Sequence, residues 1–527
     1  MTLLLPFDPV VRARETAPGT SLAPLADALA HELAPLHTRP LPIPDQKARL
    51  TRGGGRCPVH GTLLRFDPWS PHAHHCDRCA VDYVGQHHHD WWVMGAQLWT
   101  VERAVHAAAL YALRGDAAHA QLAERILSEL ALRYERWPDR DNVLGPSRPF
   151  FSTYLESIWL LNAAHALALL EASGRHDVGA VVRDRLLAPS AARIASYPEG
   201  RSNRQAWNAA AQLAAAVLLD DRRAVEAQCG GGEGTTTWLL THALLDDGSW
   251  YEGENYHQFA HRGLWYGVQM LRALGRPVSA ALDARFQAGF GTPFVGLLPD
   301  DTIPARRDAP YAVSVRQWRI AEWCELGLAH GAGRSPTDRP LAALLARLYD
   351  GTGAHSDARA RSTADAERPE RAQWLARSEL SWRALLMANA EPVAGGAWSA
   401  GSALLPRQGL AVLRRDGGRV YVALEGGVSG GGHGHPDRLG FTLQCGPQRL
   451  LDDPGAGSYT ERTLHWYRST LAHHAPLIDG ASQQPTDATL RAWDERGGAG
   501  WVQWSADGLA SGVSADRAVV VMDSYCV

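Results

Sequence analysis

Cysteine is scarce and odd in number, seven in 527 residues, with Cys57, Cys76 and Cys79 grouped and the rest scattered. That distribution excludes a disulfide framework and points to a reducing compartment. No apolar run is long enough to span a bilayer. The opening Met1-Thr2-Leu3-Leu4-Leu5-Pro6-Phe7 lacks the basic segment and long apolar core of a signal peptide, so the expected location is cytoplasmic. A basic excess is missing too: the net charge is −4 and the pI about 6.6. The chain therefore has no general field for nucleic acid, and an acidic ligand must be met by local Arg, Asn, His and Tyr groups. A hydrophobic content of 45% is that of a globular protein. The length exceeds one ordinary core and implies about two to four structural units.

Four stretches differ in texture. Residues 1–56 read as a helical arm, with one amphipathic pattern from Leu22 to Leu33 and a Pro-rich connection. Residues 57–90 carry Cys57-Pro58-Val59-His60 and Cys76-Asp77-Arg78-Cys79, the spacing of a small zinc-ribbon-like knuckle in which metal replaces a core. Cys57, His60, Cys76 and Cys79 are the expected ligands of a structural zinc, and free thiols or a site that has lost its metal are the competing readings. His72, His74, His75 and the run His87-His88-His89 offer alternative ligands, with solvated loop residues the favoured reading. Residues 91–394 read as successive amphipathic helices, clearest at 91–114, 117–136, 153–172, 205–219, 256–274 and 315–330. Long helices joined by short turns suggest hairpins arranged in an arc or toroid. The polar stretch 351–371 reads as an exposed excursion. Over 395–527 short β-rich runs, at 410–413, 420–424, 439–443 and 518–522, fit an antiparallel sandwich.

The chemistry concentrates near the C-terminal end. In Gly431-Gly432-His433-Gly434-His435-Pro436-Asp437, two histidines separated by one residue fall on one face of a presumed strand. Asp453 opens a Pro454-Gly455 turn, and His473 lies in a polar break. His435, Asp453 and His473 make a zinc-type ligand set, with water or a further protein group completing a tetrahedron. His433 stays available for acid–base or electrostatic work. In the helical part, Ser202-Asn203-Arg204-Gln205 and Glu252-Gly253-Glu254-Asn255-Tyr256-His257 each open a helix, with Asn203 reading as an N-cap.

The order of these blocks resembles the heparinase II/III-like polysaccharide lyases over roughly residues 57 to 480. The likeness rests on Asn203, Tyr256-His257, His433-Gly434-His435, Asp453-Pro454-Gly455 and Ser469-Thr470-Leu471-Ala472-His473. Arg204-Gln205 stands where many relatives have His, and His474 where they have Asn. The resemblance implies an incomplete (α/α) toroid followed by an antiparallel β-sandwich, truncated relative to the family's. It also implies β-elimination on a uronic-acid-containing polysaccharide or oligosaccharide. In that scheme Asn203, with Arg204 or Gln205, neutralises the substrate carboxylate, and Tyr256 and His433 exchange protons. Tyr459 serves as a second proton donor. Tyr256 then needs a lowered pKa, which Arg204 or Arg262 would supply. Glu252, His257, Arg148 and Glu156 are expected at the substrate, Arg148 and Glu156 in a wall with Tyr154 and Trp159. Zinc at His435, Asp453 and His473 is structural in this reading. A zinc-dependent carbohydrate hydrolase and a noncatalytic glycan-binding protein are the competing functions.

Overall fold

The computed structural model describes residues 3–51, 53–349, 375–396, 401–457, 459 and 462–523. The expected excursion at 351–371 lies outside them.

The helical part is built around Thr153–Ala172, a helix buried on nearly every side. It packs between the Gln86–Arg114 and Asn203–Leu218 helices, and the latter packs in turn on Glu254–Ala273. Alanine runs make this close packing possible: Ala104, Ala107, Ala108 and Ala109 on one helix and Ala163, Ala164 and Ala166 on the next have no exposed surface. Polar residues set the ends. Asp116 accepts from the Ala118 amide at 2.9 Å to start Ala117–Tyr134, and Gly115 closes the preceding helix at φ 73°. These hairpins form the incomplete (α/α) toroid. The N-terminal arm is part of the same core, because Leu25, Leu29, Leu33 and Leu36 are buried in it. Arg12 Nε also donates to the Leu386 carbonyl at 2.9 Å, which ties the start of the chain to the last helical segment.

The sandwich has a five-stranded antiparallel sheet, Ala403–Leu405, Leu410–Arg415, Val420–Glu425, Phe441–Cys445 and Gln448–Leu451, in sequence order. A three-stranded sheet of Ala488–Arg496, Ala499–Ala510 and Val513–Met522 faces it. Strand periodicity explains why both faces of the larger sheet are apolar. Ala411, Leu413, Val422 and Leu424 meet Val502, Trp504, Val519 and Val521 of the smaller sheet. Leu410, Val412, Tyr421 and Ala423 turn the other way, onto Leu298 of the helical part. A buried ionic group pins this second interface: Arg306 reaches Glu254 at 2.6 Å and Glu425 at 2.7 Å.

Two local readings are corrected. Gly431–His433 is a 3-10 turn rather than a strand. Gly430 and Gly431 adopt φ of 89° and 62°, and a Cβ on Gly434 would lie 1.7 Å from the Ser429 carbonyl oxygen, so this run is committed to a tight loop. Asn203 is the first helical residue and Ser202 is the cap, its hydroxyl accepting from the Arg204 and Gln205 amides at 3.2 and 3.3 Å.

Candidate active site and metal centre

The site forms where the Glu254–Ala273 helix, the loop between the short strands Thr302–Ile303 and Val313–Ser314, and the sandwich loops converge. Tyr256 and His433 stack face to face, ring centroids 3.8 Å apart and planes 18° apart. The Tyr256 hydroxyl lies 2.5 Å from the Tyr459 hydroxyl. Burial, with Asp308 and Glu252 adding to it against the Tyr459 hydrogen bond, pushes Tyr256 up to about 12, and Tyr459 rises as well, chiefly through burial. The expectation of a lowered Tyr256 pKa is overturned, because neither proposed cation serves it: Arg204 is paired with Glu199 and Arg262 faces Glu322 at 3.9 Å. The cation that does act on Tyr256 is Arg468.

Asp308 is the hub of the site and was missed in the sequence. Its Oδ2 lies 2.9 Å from His433 Nδ1 and its Oδ1 lies 3.0 Å from His435 Nε2. Arg468 donates to both oxygens, through Nε to Oδ1 at 2.9 Å and through Nη2 to Oδ2. Burial works against the anion, but these donors outweigh it and hold the carboxyl below the usual carboxylate range. An ionised carboxylate only accepts, so both imidazoles donate to it and both tautomers follow. His433 keeps its lone pair on Nε2, 3.5 Å from Glu252 Oε1. His435 keeps its lone pair on Nδ1, 3.2 Å from His473 Nε2.

That second lone pair points into an acidic, buried pocket. Ligand atoms of His435, Asp437 and His473 lie within 4.8 Å of one another. His473 Nδ1 stands 3.2 Å from Asp453 Oδ1 but out of hydrogen-bond alignment, and Asp437 Oδ2 is buried without a hydrogen-bond partner. Burial disfavours a cationic imidazole here, yet Asp453, followed by Asp437, raises His473 to about 9. The pocket thus selects positive charge, and two imidazoles with carboxylates fit a zinc ion. His435, His473 and Asp453, with Asp437 added to the expected set, would hold it. A metal there would fasten the two histidine loops and leave His435 oriented through its carboxylate partner Asp308.

Several expected substrate residues have structural roles instead. Glu156 is wholly buried, accepting from Tyr134, from Ser190 Oγ at 2.7 Å and from the Arg148 amide at 3.0 Å. The Arg148 guanidinium caps the Glu135 and Trp137 carbonyls at 3.0 and 2.8 Å, and Trp159 is in the core. His257, 1% exposed, is held between the Trp250 amide at 2.9 Å and the Gly289 carbonyl at 2.6 Å. Gln205 is spent on Gly234 and Glu199. Glu252 remains at the cleft, accepting from Asn203 Nδ2 at 2.9 Å and Trp250 Nε1 at 2.7 Å. An unforeseen cation, Arg201, lies exposed on the Tyr251 ring at 3.9 Å, and that ring borders Gly431.

A helical toroid is thus joined to an antiparallel sandwich, with two tyrosines, a histidine and a metal-type pocket at the junction. Over residues 399–525 the chain matches the family model described as heparinase II/III-like, C-terminal. In fold it is similar to heparinase III (TM-score 0.53, 14% identity, 81% of this chain and 61% of that one). It is also similar to the heparan sulfate lyase HepC of Pedobacter heparinus (TM-score 0.52, 14% identity, 97% of this chain and 77% of that one). The chain thus spans about 61% of the length of the heparinase III it matches. No curated protein matches the sequence.

Proposed function

We propose that this protein is a polysaccharide lyase that cleaves a uronic-acid-containing glycan by β-elimination. The observation that carries the reading is the stacked Tyr256–His433 pair, with Tyr459 in hydrogen-bond contact with Tyr256, at the toroid–sandwich junction. His433 Nε2, made basic by the Nδ1–H donated to Asp308, takes the proton on carbon 5 of the uronate. The electron pair left behind forms the carbon 4–carbon 5 double bond as the bond from carbon 4 to the leaving oxygen breaks. Tyr256, whose pushed-up pKa makes it a donor, gives that oxygen its proton, and Tyr459 resupplies Tyr256. Asn203 retains a second amide N–H beyond the one given to Glu252, and with Arg201 it meets the substrate carboxylate while charge builds on it. His435, Asp453 and His473, with Asp437, would hold a zinc ion that fixes the His433 loop in place.

The test is a screen of uronate polysaccharides, heparan sulfate first because relatives are named for it, followed by ultraviolet absorbance and reducing-end assays. New absorbance in step with new reducing ends is expected, since elimination creates a double bond conjugated with the carboxylate. Reducing ends without absorbance would make the enzyme a hydrolase. Binding without either signal would make it a glycan-binding protein.

A further inference from the structure

The cysteine and histidine group near the N-terminus is brought together in three dimensions. Cys57 Sγ lies 3.4 Å from His60 Nδ1 and 3.9 Å from Cys79 Sγ, and Cys76 Sγ lies 4.0 Å from His60 Nδ1. All four ligand atoms fall within 4.8 Å of one another. Tetrahedral zinc, with bonds of about 2.3 Å to sulfur and about 2.0 Å to nitrogen, sets its ligand atoms about 3.6–3.8 Å apart. The observed spacings match that frame.

The sulfurs are surrounded by hydrogen-bond donors. Backbone amides of Val59 and His60 point at Cys57, and those of Arg78 and Cys79 point at Cys76. The Tyr83 hydroxyl adds contacts to the Cys57 and Cys79 sulfurs at 3.4 and 3.5 Å. The rest of the unit's internal support is slight, a few backbone hydrogen bonds and the exposed Arg65–Asp77 and His75–Asp82 pairs. Its strands, His74–Cys76 and Val81–Tyr83, are three residues each, and its buried apolar core is Cys57, Leu64 and Cys76. So small a core does not fold without a staple.

The unit is nonetheless locked to the start of the long Gln86–Arg114 helix. Thr51 Oγ1 donates to the His87 carbonyl at 2.8 Å, and His88 Nδ1 bonds to the Gly54 carbonyl. Trp91 occupies the space where a Cβ on Gly55 would lie 2.3 Å from its Nε1. His74 and His88, expected in solvent, are 1% and 2% exposed, and the His74 ring packs on His88 and Trp91.

We infer that Cys57, His60, Cys76 and Cys79 hold a structural zinc ion whose work is to clamp the entry of the Gln86–Arg114 helix, independently of the cleft. Four protein ligands close the coordination shell, which leaves no position for substrate or reactive water. The experiment uses the full chain purified without chelator. Elemental analysis of wild type and Cys76→Ser should show one zinc equivalent lost in the variant, with earlier proteolysis between residues 51 and 92. On wild type alone, cobalt exchanged into the protein should give thiolate-to-metal charge-transfer bands with tetrahedral visible absorption. The knuckle thiols should react with a disulfide reagent only after metal is removed. Cys79→His, which keeps a ligand, should retain the metal. Unchanged zinc in Cys76→Ser, a cobalt form without thiolate bands, an iron–sulfur spectrum, or immediate reaction of the thiols in the native protein would each overturn the assignment. If Cys76→Ser fails to fold, the cobalt and thiol measurements decide alone.

Discussion

Asp308 gives two histidines two chemical identities. By accepting from His433 Nδ1 and His435 Nε2 it leaves one free lone pair facing the cleft and the other facing the metal-type pocket. Asp308→Asn turns an acceptor that serves both rings into a group with one acceptor oxygen and an amide, so one imidazole must take the wrong tautomer. The expected outcome is a fall of about 10–100-fold in zinc affinity together with loss of lyase activity, read by metal titration and by absorbance. Tyr256→Phe should instead leave zinc and melting temperature intact while kcat falls about a hundredfold or more, and a variant retaining wild-type kcat would remove Tyr256 from the chemistry. Arg201→Gln should act chiefly on KM for a uronate glycan. Asp308 was not legible in advance: Arg306-Arg307-Asp308 between Pro304 and Pro310 reads as a charged surface loop, whereas all three are at most 3% exposed.

At the level of elements, the long helices were readable because apolar residues recur at three- and four-residue intervals, and Thr153–Ala172 was located to the residue. The histidine turn was not, since alternating Gly and His mimics a strand while the glycines supply left-handed backbone that a strand cannot use. The strands Ala488–Arg496 and Ala499–Ala510 were also missed. Charges and the Gly497-Gly498 turn obscure the alternation that puts Val502 and Trp504 inside. Because a Cβ at Gly434 meets the Ser429 carbonyl, Gly434→Ala should move both histidines and abolish turnover. Far-ultraviolet dichroism should remain that of wild type; a fully active Gly434→Ala would show the turn to be adaptable.

At the scale of the whole molecule, stability is tied to neutral imidazoles in the toroid. Burial pushes His165 and His257 down to about 4 and holds His261 well below the usual imidazole range. Their folded values lie below the unfolded one near 6.5, so the stability they contribute is complete above that pH and is lost as pH falls toward 4. Between pH 7 and pH 5 His165 and His257 should each cost on the order of 2 kcal/mol, measurable as a drop in the urea midpoint that His165→Gln reduces. A midpoint that does not move over that interval would contradict the assignment.

Asp308 and Arg306 belong to the loop carried by the helical part, while His433, His435, Arg468 and Glu425 belong to the sandwich. Separation of the two halves would therefore break the Asp308 contacts that orient His433 and His435, together with the Arg306–Glu425 pair. Relative movement of the two parts and the geometry of the cleft are in that sense one degree of freedom.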